Sequence, residues 1–314
     1  MSAGVLATLA LALVATAYAT QRCWLPRAIV SATNVGQMVG VYDREAPGVA
    51  RQLRVNVGPP AASLSLWIVD PPTNPCGTIL VLHGIHDNKV SMLGTGKRLA
   101  REGYRAVLVD LRGHGQSSGA WLTYGAVEAR DLAQVLDALE QENLIAGPVG
   151  VYGNSYGGAC ALRLAGRDPR VRAVVSVAAF ATMREEVSDY IRHEARVPSW
   201  CITDRMIARA VEDAGKLAGF DPGEASPLAA IQHADAAVLL IHGEPDAKVP
   251  VQHARQLHAA APRHSQLVVM ASAGHDAFFQ DRDGAVARAT TAWLAKWLGK
   301  PEVAGGDGIE AIQP

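Results

Sequence analysis

The sharpest chemical signal in the sequence is one hexapeptide, Gly153-Asn154-Ser155-Tyr156-Gly157-Gly158. The apolar stretch VGVY precedes it and ACALRLA follows, so a buried strand is expected to run through a Gly-rich turn into a helix. A serine at such a turn sits in a strained backbone conformation, and small residues two positions before and after it avoid a clash. Its hydroxyl then projects above the sheet, and the following helix points free N–H groups towards any oxyanion that forms there. Ser155 is therefore the candidate nucleophile. The alternative is an ordinary strand-to-helix turn, since Gly and Ser are common in turns.

A serine hydroxyl is a poor nucleophile at neutral pH and needs a base within hydrogen-bond reach. At serine sites built on a strand, turn and helix, the acid and then the histidine follow in the chain. The apolar run VLLIHG leads into Glu244-Pro245-Asp246, and LVVMA leads into Ser272-Ala273-Gly274-His275-Asp276. Loops that follow buried parallel strands lie at the carboxyl edge of the sheet, where α/β sites are built. Asp246 is the candidate orienting acid, with Glu244 as the fallback, and His275 is the candidate base. Asp276 is placed to cap a helix starting near Ala277. A third apolar run, TILVL, leads into His83-Gly84-Ile85-His86-Asp87-Asn88. The backbone N–H groups of Ile85 and Tyr156 are expected to form an oxyanion hole. His83 reads as a structural hydrogen-bonding residue, and His86 as a lining residue of the pocket. Together these groups suit acyl transfer through an acyl-enzyme.

Those residues need a frame. Leu64 to Val69, Thr78 to Leu82, Ala106 to Val109, Val149 to Tyr152, Val171 to Val177, Val238 to His242 and Leu267 to Ala271 read as strands, mostly continuous apolar runs covered on both faces. Leu93 to Glu102, Ala126 to Asn143, Ala159 to Gly166 and Ala285 to Leu298 read as helices between and after them. This alternation predicts one α/β domain over about 50–300, with a mostly parallel central sheet flanked by helices. The Leu53 to Val69 region is expected to add an antiparallel hairpin at the edge. The rhythm breaks at about 180–227, a stretch rich in charge and helix formers that reads as an inserted helical cap. Its apolar residues Ile191, Val197, Trp200, Ile202 and Met206 face either a substrate or the core. Ile191, Trp200 and Met206 join His86 as expected pocket residues. Residues 301–314 read as a disordered tail.

Composition narrows the partners. A formal net charge of -1 gives no electrostatic reason to expect nucleic acid. The four cysteines, Cys23, Cys76, Cys160 and Cys201, contain no paired spacing, so no metal site is expected, and a Cys76–Cys201 bond is only permitted. Cys160 falls on an apolar helix face. Asp110, Arg112 and His114 read as a structural turn in which Arg112 and Asp110 tie down the loop. The run VLATLALALVATAYA before Arg22 marks 1–30 as a signal peptide or an N-terminal membrane anchor, with Ala17-Tyr18-Ala19 as the cleavage-like site. The expected location is exported or membrane-associated rather than cytoplasmic. A buried N-terminal helix is the alternative.

The motifs HGIHDN, DLRGHGQSSG, GNSYGG, HGEPD and AGHDAF, in that order, resemble the α/β-hydrolase superfamily, nearest its serine-aminopeptidase-like branch of esterases, lipases and peptidases. The resemblance spans Leu64 to Leu298. It implies a largely parallel sheet, a cap that shapes the pocket and no cofactor. Serine at the turn sets the chain apart from the dehalogenase and epoxide hydrolase branches, which place Asp there. A small-molecule ester or other acyl substrate is expected. An aminopeptidase-like amide hydrolase is the alternative, with Glu185, Glu186 or Glu194 as an acidic anchor for a peptide amine. A catalytically silent binding protein on the same scaffold is the second alternative.

Overall fold

The structure, a computed structural model, describes residues 24–31, 47–194, 202–281 and 284–300. The apolar run before Arg22, Cys23, Val197, Trp200, Cys201 and the tail from Pro301 on lie outside the described residues.

An eight-stranded sheet forms the centre, in the order β1-β2-β4-β3-β5-β6-β7-β8. Its strands are β1 (Arg51–Val57), β2 (Ala62–Val69), β3 (Gly77–Leu82), β4 (Tyr104–Val109), β5 (Val149–Asn154), β6 (Val171–Val177), β7 (Ala237–Gly243) and β8 (Ser265–Met270). β2 pairs antiparallel with both β1 and β4, and every other pairing is parallel. The edge hairpin and the parallel core expected from the sequence are both present.

Side chains of a strand alternate between faces, so each apolar run serves two cores. Leu80 and Leu82 of β3 pack on one face with Val107, Val151, Leu132 and Leu162. Ile79 and Val81 pack on the other with Leu108, Val175, Leu99 and Leu294. Helices α3 (Glu128–Gln141) and α4 (Tyr156–Ala165) cover the first face. Helices α2 (Leu93–Arg101) and α10 (Ala285–Leu298) cover the second. Burial on both sides is why β3, β5 and β7 carry almost no polar residues and why their periodicity is not the alternation of a half-exposed strand.

Between β6 and β7 the chain forms α5 (Met183–Glu194), α6 (Asp204–Ala218) and the short α7 (Pro227–Ile231), in the region expected to be a cap. Thr203 caps α6 through its side chain, which accepts from the Met206 N–H, and Gly219 ends the helix in a left-handed conformation. Helix α8 (Gln252–Ala260), between β7 and β8, was not anticipated; its sequence, QHARQLHAA, lacks a strong apolar stripe. Helix α9 (Ala277–Gln280) starts after Asp276, whose side chain makes no capping bond.

Helix α1 (Leu25–Val30) alters the domain boundary expected at residue 30. Ile29 and Val30 belong to the buried core, and α1 packs on α6. The Tyr124 hydroxyl donates to Ile29 O at 2.9 Å, the Leu122 N–H donates to Val30 O at 2.8 Å, and Ser31 bridges to Trp121. The helix is thus part of the folded domain. Among the described residues no helix is long and apolar enough to cross a membrane.

Behind the carboxyl edge of the sheet lies a buried ionic layer. Asp110, just past β4, pairs with Lys89 at 2.5 Å, and both side chains are wholly shielded from solvent. Asp110 also accepts from the N–H groups of Lys89 and Gln116. Arg112 instead forks onto Asp131 of α3 at 2.7 and 2.8 Å. Asp110 and Arg112 thus both tie down the loop, each to a different neighbour. Gly115 approaches so closely that a Cβ there would stand 2.2 Å from the Asp110 carboxylate. Removing one partner of a buried pair leaves an uncompensated charge. Lys89→Met is expected to destabilise the chain by about 3–5 kcal/mol in urea unfolding. Replacing Asp110 as well with Leu is expected to cost far less than the sum of the two single changes.

Candidate active site

Ser155 follows β5 directly, in a backbone conformation of φ 50° and ψ -113°. A non-glycine residue held there costs on the order of 1–3 kcal/mol, so the surroundings must over-determine it. Two close approaches do so. A Cβ on Gly153 would lie 2.3 Å from Gly157 O, and one on Gly157 would lie 2.5 Å from His83 O. The Ser155 N–H donates to Val177 O at 2.7 Å, fixing the turn to β6. The spacing of glycines around the serine is thus steric necessity.

The other two candidates arrive from neighbouring strands. Asp246 lies in the loop after β7 and His275 in the loop after β8. His275 Nδ1 donates to Asp246 Oδ2 at 2.7 Å, and the Ser155 hydroxyl donates to His275 Nε2 at 3.1 Å. The carboxylate selects the tautomer: with the proton on Nδ1, Nε2 is left as the acceptor. Asp246 is itself held by the N–H groups of Lys248 and Val249, at 3.0 and 2.9 Å on Oδ1. Burial pushes its carboxyl pKa up, but the hydrogen bond and positive charge of His275 and the Val249 N–H outweigh burial and hold it below the usual carboxylate range. Glu244, the fallback acid, points elsewhere and pairs with Arg255 at the surface.

A bridge not foreseen from the sequence links the two loops. Lys248 Nζ reaches both carboxylate oxygens of Asp276 at 3.0 Å, one residue beyond the histidine. The buried His242 donates from Nε2 to Val249 O at 2.7 Å and stands 3.5 Å from Asp246.

Ile85 lines the same cavity as Ser155, and Tyr156 follows the serine directly. The turn Gly84–Asp87 closes through the Asp87 N–H on Gly84 O at 3.3 Å, a bond that does not use the Ile85 N–H. Tyr156 opens α4, so its N–H has no acceptor within the helix. His83 is fully buried: Nε2 accepts from the Leu111 N–H at 3.0 Å, and Nδ1 donates to Gly84 O at 2.7 Å. That bonding makes it a strut under the turn. Burial also lowers the pKa of His114, which packs edge-on against His83, to about 3.

The relay opens into a cavity of about 510 Å³, within the range of small-molecule sites. Ser155 and His275 line it, as do Ile85, His86 and Tyr124. Val187, Tyr190 and Ile191 of α5 form one wall, and Leu25, Ala28 and Ile29 of α1 form another. His86 and Ile191 are therefore where the sequence suggested. Met206 is not: it lies on the far side of α6 in a separate depression with Thr203, Arg205 and Arg209. The helical repeat turns Ile207, its neighbour, inward instead. Trp200 lies outside the described residues. Of the acidic candidates, Glu186 and Glu194 reach the cavity. Glu185 faces a second cavity of about 410 Å³ between α5, α6 and α8 that contains none of the three relay residues. Cys76 is a free, half-buried thiol and Cys160 a buried one.

Residues 73–218 match the family model described as serine aminopeptidase, S33, and residues 218–302 match the one described as TAP-like protein, of the α/β-hydrolase type. YqkD of Bacillus subtilis (strain 168) is 31% identical over 186 residues, which cover 58% of this chain and 59% of YqkD. Among solved structures, the Pyrococcus furiosus esterase Pf2001 superposes with a TM-score of 0.65 at 20% identity, covering 79% of this chain and 91% of that one. The Pyrococcus horikoshii acylaminoacyl peptidase superposes with a TM-score of 0.57 at 17% identity, covering 87% of this chain and 45% of that one. These likenesses at low identity speak to the fold.

Glu186 generates a test. Its Oε2 is sealed from solvent and has no hydrogen-bond partner among the described residues. Burial, reinforced by the negative charges of Asp189 and Asp246, pushes its pKa up from 4.5 to about 8. The folded state therefore keeps a proton that the unfolded chain releases, and stability is lost as pH rises through that window. Glu186→Gln removes the loss. Relative to wild type, the variant is expected to gain at least about 1.4 kcal/mol, the equivalent of one pKa unit, between the lower and upper ends of the window, read from urea unfolding at each pH.

Proposed function

The chain belongs to the α/β-hydrolase superfamily, in its esterase and S33 peptidase grouping, and we propose that it is a serine esterase acting on carboxylic esters. One observation carries this reading: an unbroken hydrogen-bonded relay from Ser155 through His275 to Asp246, whose first two members line a largely apolar cavity.

The chemistry follows from the geometry. Ser155 Oγ attacks the ester carbonyl carbon as its proton passes to His275 Nε2, and the carbonyl oxygen becomes an oxyanion. The N–H groups of Ile85 and Tyr156 face that charge, and the helix of which Tyr156 is the first residue adds its positive end. Asp246 stabilises the imidazolium without taking its proton. His275 then protonates the departing alcohol, leaving an acyl-serine. Water, deprotonated by the same Nε2, attacks the acyl carbon, and Ser155 leaves with the proton restored. No step calls for a metal or cofactor.

Amide hydrolysis is the second reading, because Glu186 and Glu194 line the same cavity and would receive a substrate amine. The lining of α1 and α5, otherwise mainly apolar, favours the ester. A silent binding role fits poorly with a complete relay at hydrogen-bonding distance.

Ser155→Ala is expected to lower turnover of short p-nitrophenyl esters by at least about 10³-fold, with an unchanged urea unfolding midpoint. The wild-type chain should be labelled by a fluorophosphonate probe and the variant should not. Turnover or labelling that survives in the variant refutes the assignment.

A further inference from the structure

A second wall of the cavity is built by a segment outside the sheet. Leu25, Ala28 and Ile29 project from α1 into the same cavity as Val187 and Ile191 of α5, and Trp24 stands at the rim with 65% of its surface exposed. Residues three and four apart on a helix share a face, and 25, 28 and 29 have that spacing. All three are uncharged, as are Val187 and Ile191 of α5, which line the cavity alongside Glu186 and Glu194 of the same helix.

The helix is fastened where a wall would need to be. Its carboxyl end is held by the Tyr124 hydroxyl and the Leu122 N–H, and its back rests on α6. The Tyr124 ring in turn packs on Tyr156, the residue after the nucleophile, with centroids 5.9 Å apart. The position of the wall is thereby referred to the reacting atoms. In contrast, the outward side of α1 carries Arg27, stacked on Trp121. One side of the helix is built for packing and the cavity, the other for solvent.

We infer that α1 is a specificity element of the active site, and that it and α5 enclose the apolar chain of a substrate whose ester carbonyl reaches Ser155. The substrate class is an ester with an extended hydrocarbon acyl chain. Each methylene buried against these walls strengthens productive binding by up to about fourfold. The inference rests on the esterase reading above.

The test uses the full-length chain and a series of p-nitrophenyl esters from acetate through butyrate to octanoate. The ratio of kcat/KM for octanoate to that for acetate is expected to exceed about tenfold in the wild type. Ala28→Trp, at a position exposed enough to accept the larger side chain, should cut that ratio by about tenfold by occupying the channel. Ile29→Ala, which widens the same wall, should move the optimum to longer acyl chains. A wild type with Ser155-dependent turnover of acetate but no rise with chain length overturns the inference and leaves the esterase reading standing. So does a ratio that neither variant changes. Absence of Ser155-dependent turnover across the whole series overturns the esterase reading, and this inference with it.

Discussion

Gly157 touches the backbone of the neighbouring strand so closely that even a methyl group would collide with His83 O and Leu82 O. That contact fixes how near α4 can come to β3, and therefore how sharply the chain must turn at Ser155. The sharp turn lifts the hydroxyl above the sheet and starts the helix at Tyr156, which brings a free N–H to the same spot. The placement of the Ser155 hydroxyl and that of the Tyr156 N–H follow from one packing constraint. The parallel sheet does the rest, because β3, β5, β7 and β8 all deliver their following loops to one edge. The three side chains of the relay come from distant stretches, yet each needs only to be the right residue just past its strand.

A second layer keeps that edge rigid. The loop after β4 threads between the oxyanion turn and α3, where water cannot satisfy its polar groups. Asp110 and Lys89 neutralise each other, Arg112 reaches Asp131, and Glu128 accepts from the Thr123 hydroxyl and the Thr123 and Gly125 N–H groups. His83, kept neutral by burial, bridges the loop at Leu111 to the turn at Gly84. Buried ionic groups of this kind add little net stability against an apolar alternative, but removing one partner strands a charge away from water. Such fixity suits a site that must aim N–H groups at a carbonyl oxygen.

The parts legible in the sequence are those whose signal is local. An apolar run followed by a small-residue turn announces Ser155, and each partner loop is marked by the strand before it. Long-range pairing leaves no such mark: nothing near Lys89 names Asp110 as its partner, and nothing near Lys248 points to Asp276. The helical stretch between β6 and β7 was legible as an interruption, but not the direction of its side chains, because a single helical step separates Met206 from Ile207 and turns only the latter inward. Helix α1 was obscured by its neighbourhood. Placed after a long apolar run, Leu25 to Val30 reads as the end of a targeting segment. Its burial in the core, its packing on α6 and the hydrogen bonds from Tyr124 and Leu122 reveal it as part of the domain.

Tyr124 joins these layers. Its ring lies between Tyr156 beside the nucleophile and Phe180 where the chain leaves for the cap, with centroids 5.9 and 5.8 Å away, and its hydroxyl holds α1. It adopts a left-handed backbone conformation, φ 53°, just before Gly125, which is also left-handed. That uncommon geometry lets a loop residue turn inward while α3 begins outside. The reacting groups thus sit on a sheet edge that cannot move without breaking the buried ion pairs. The cavity walls formed by α1 and α5 belong to segments outside the sheet. Changes in those walls can alter the substrate taken without altering the relay, so specificity and chemistry are physically separable, with Tyr124 as the joint between them.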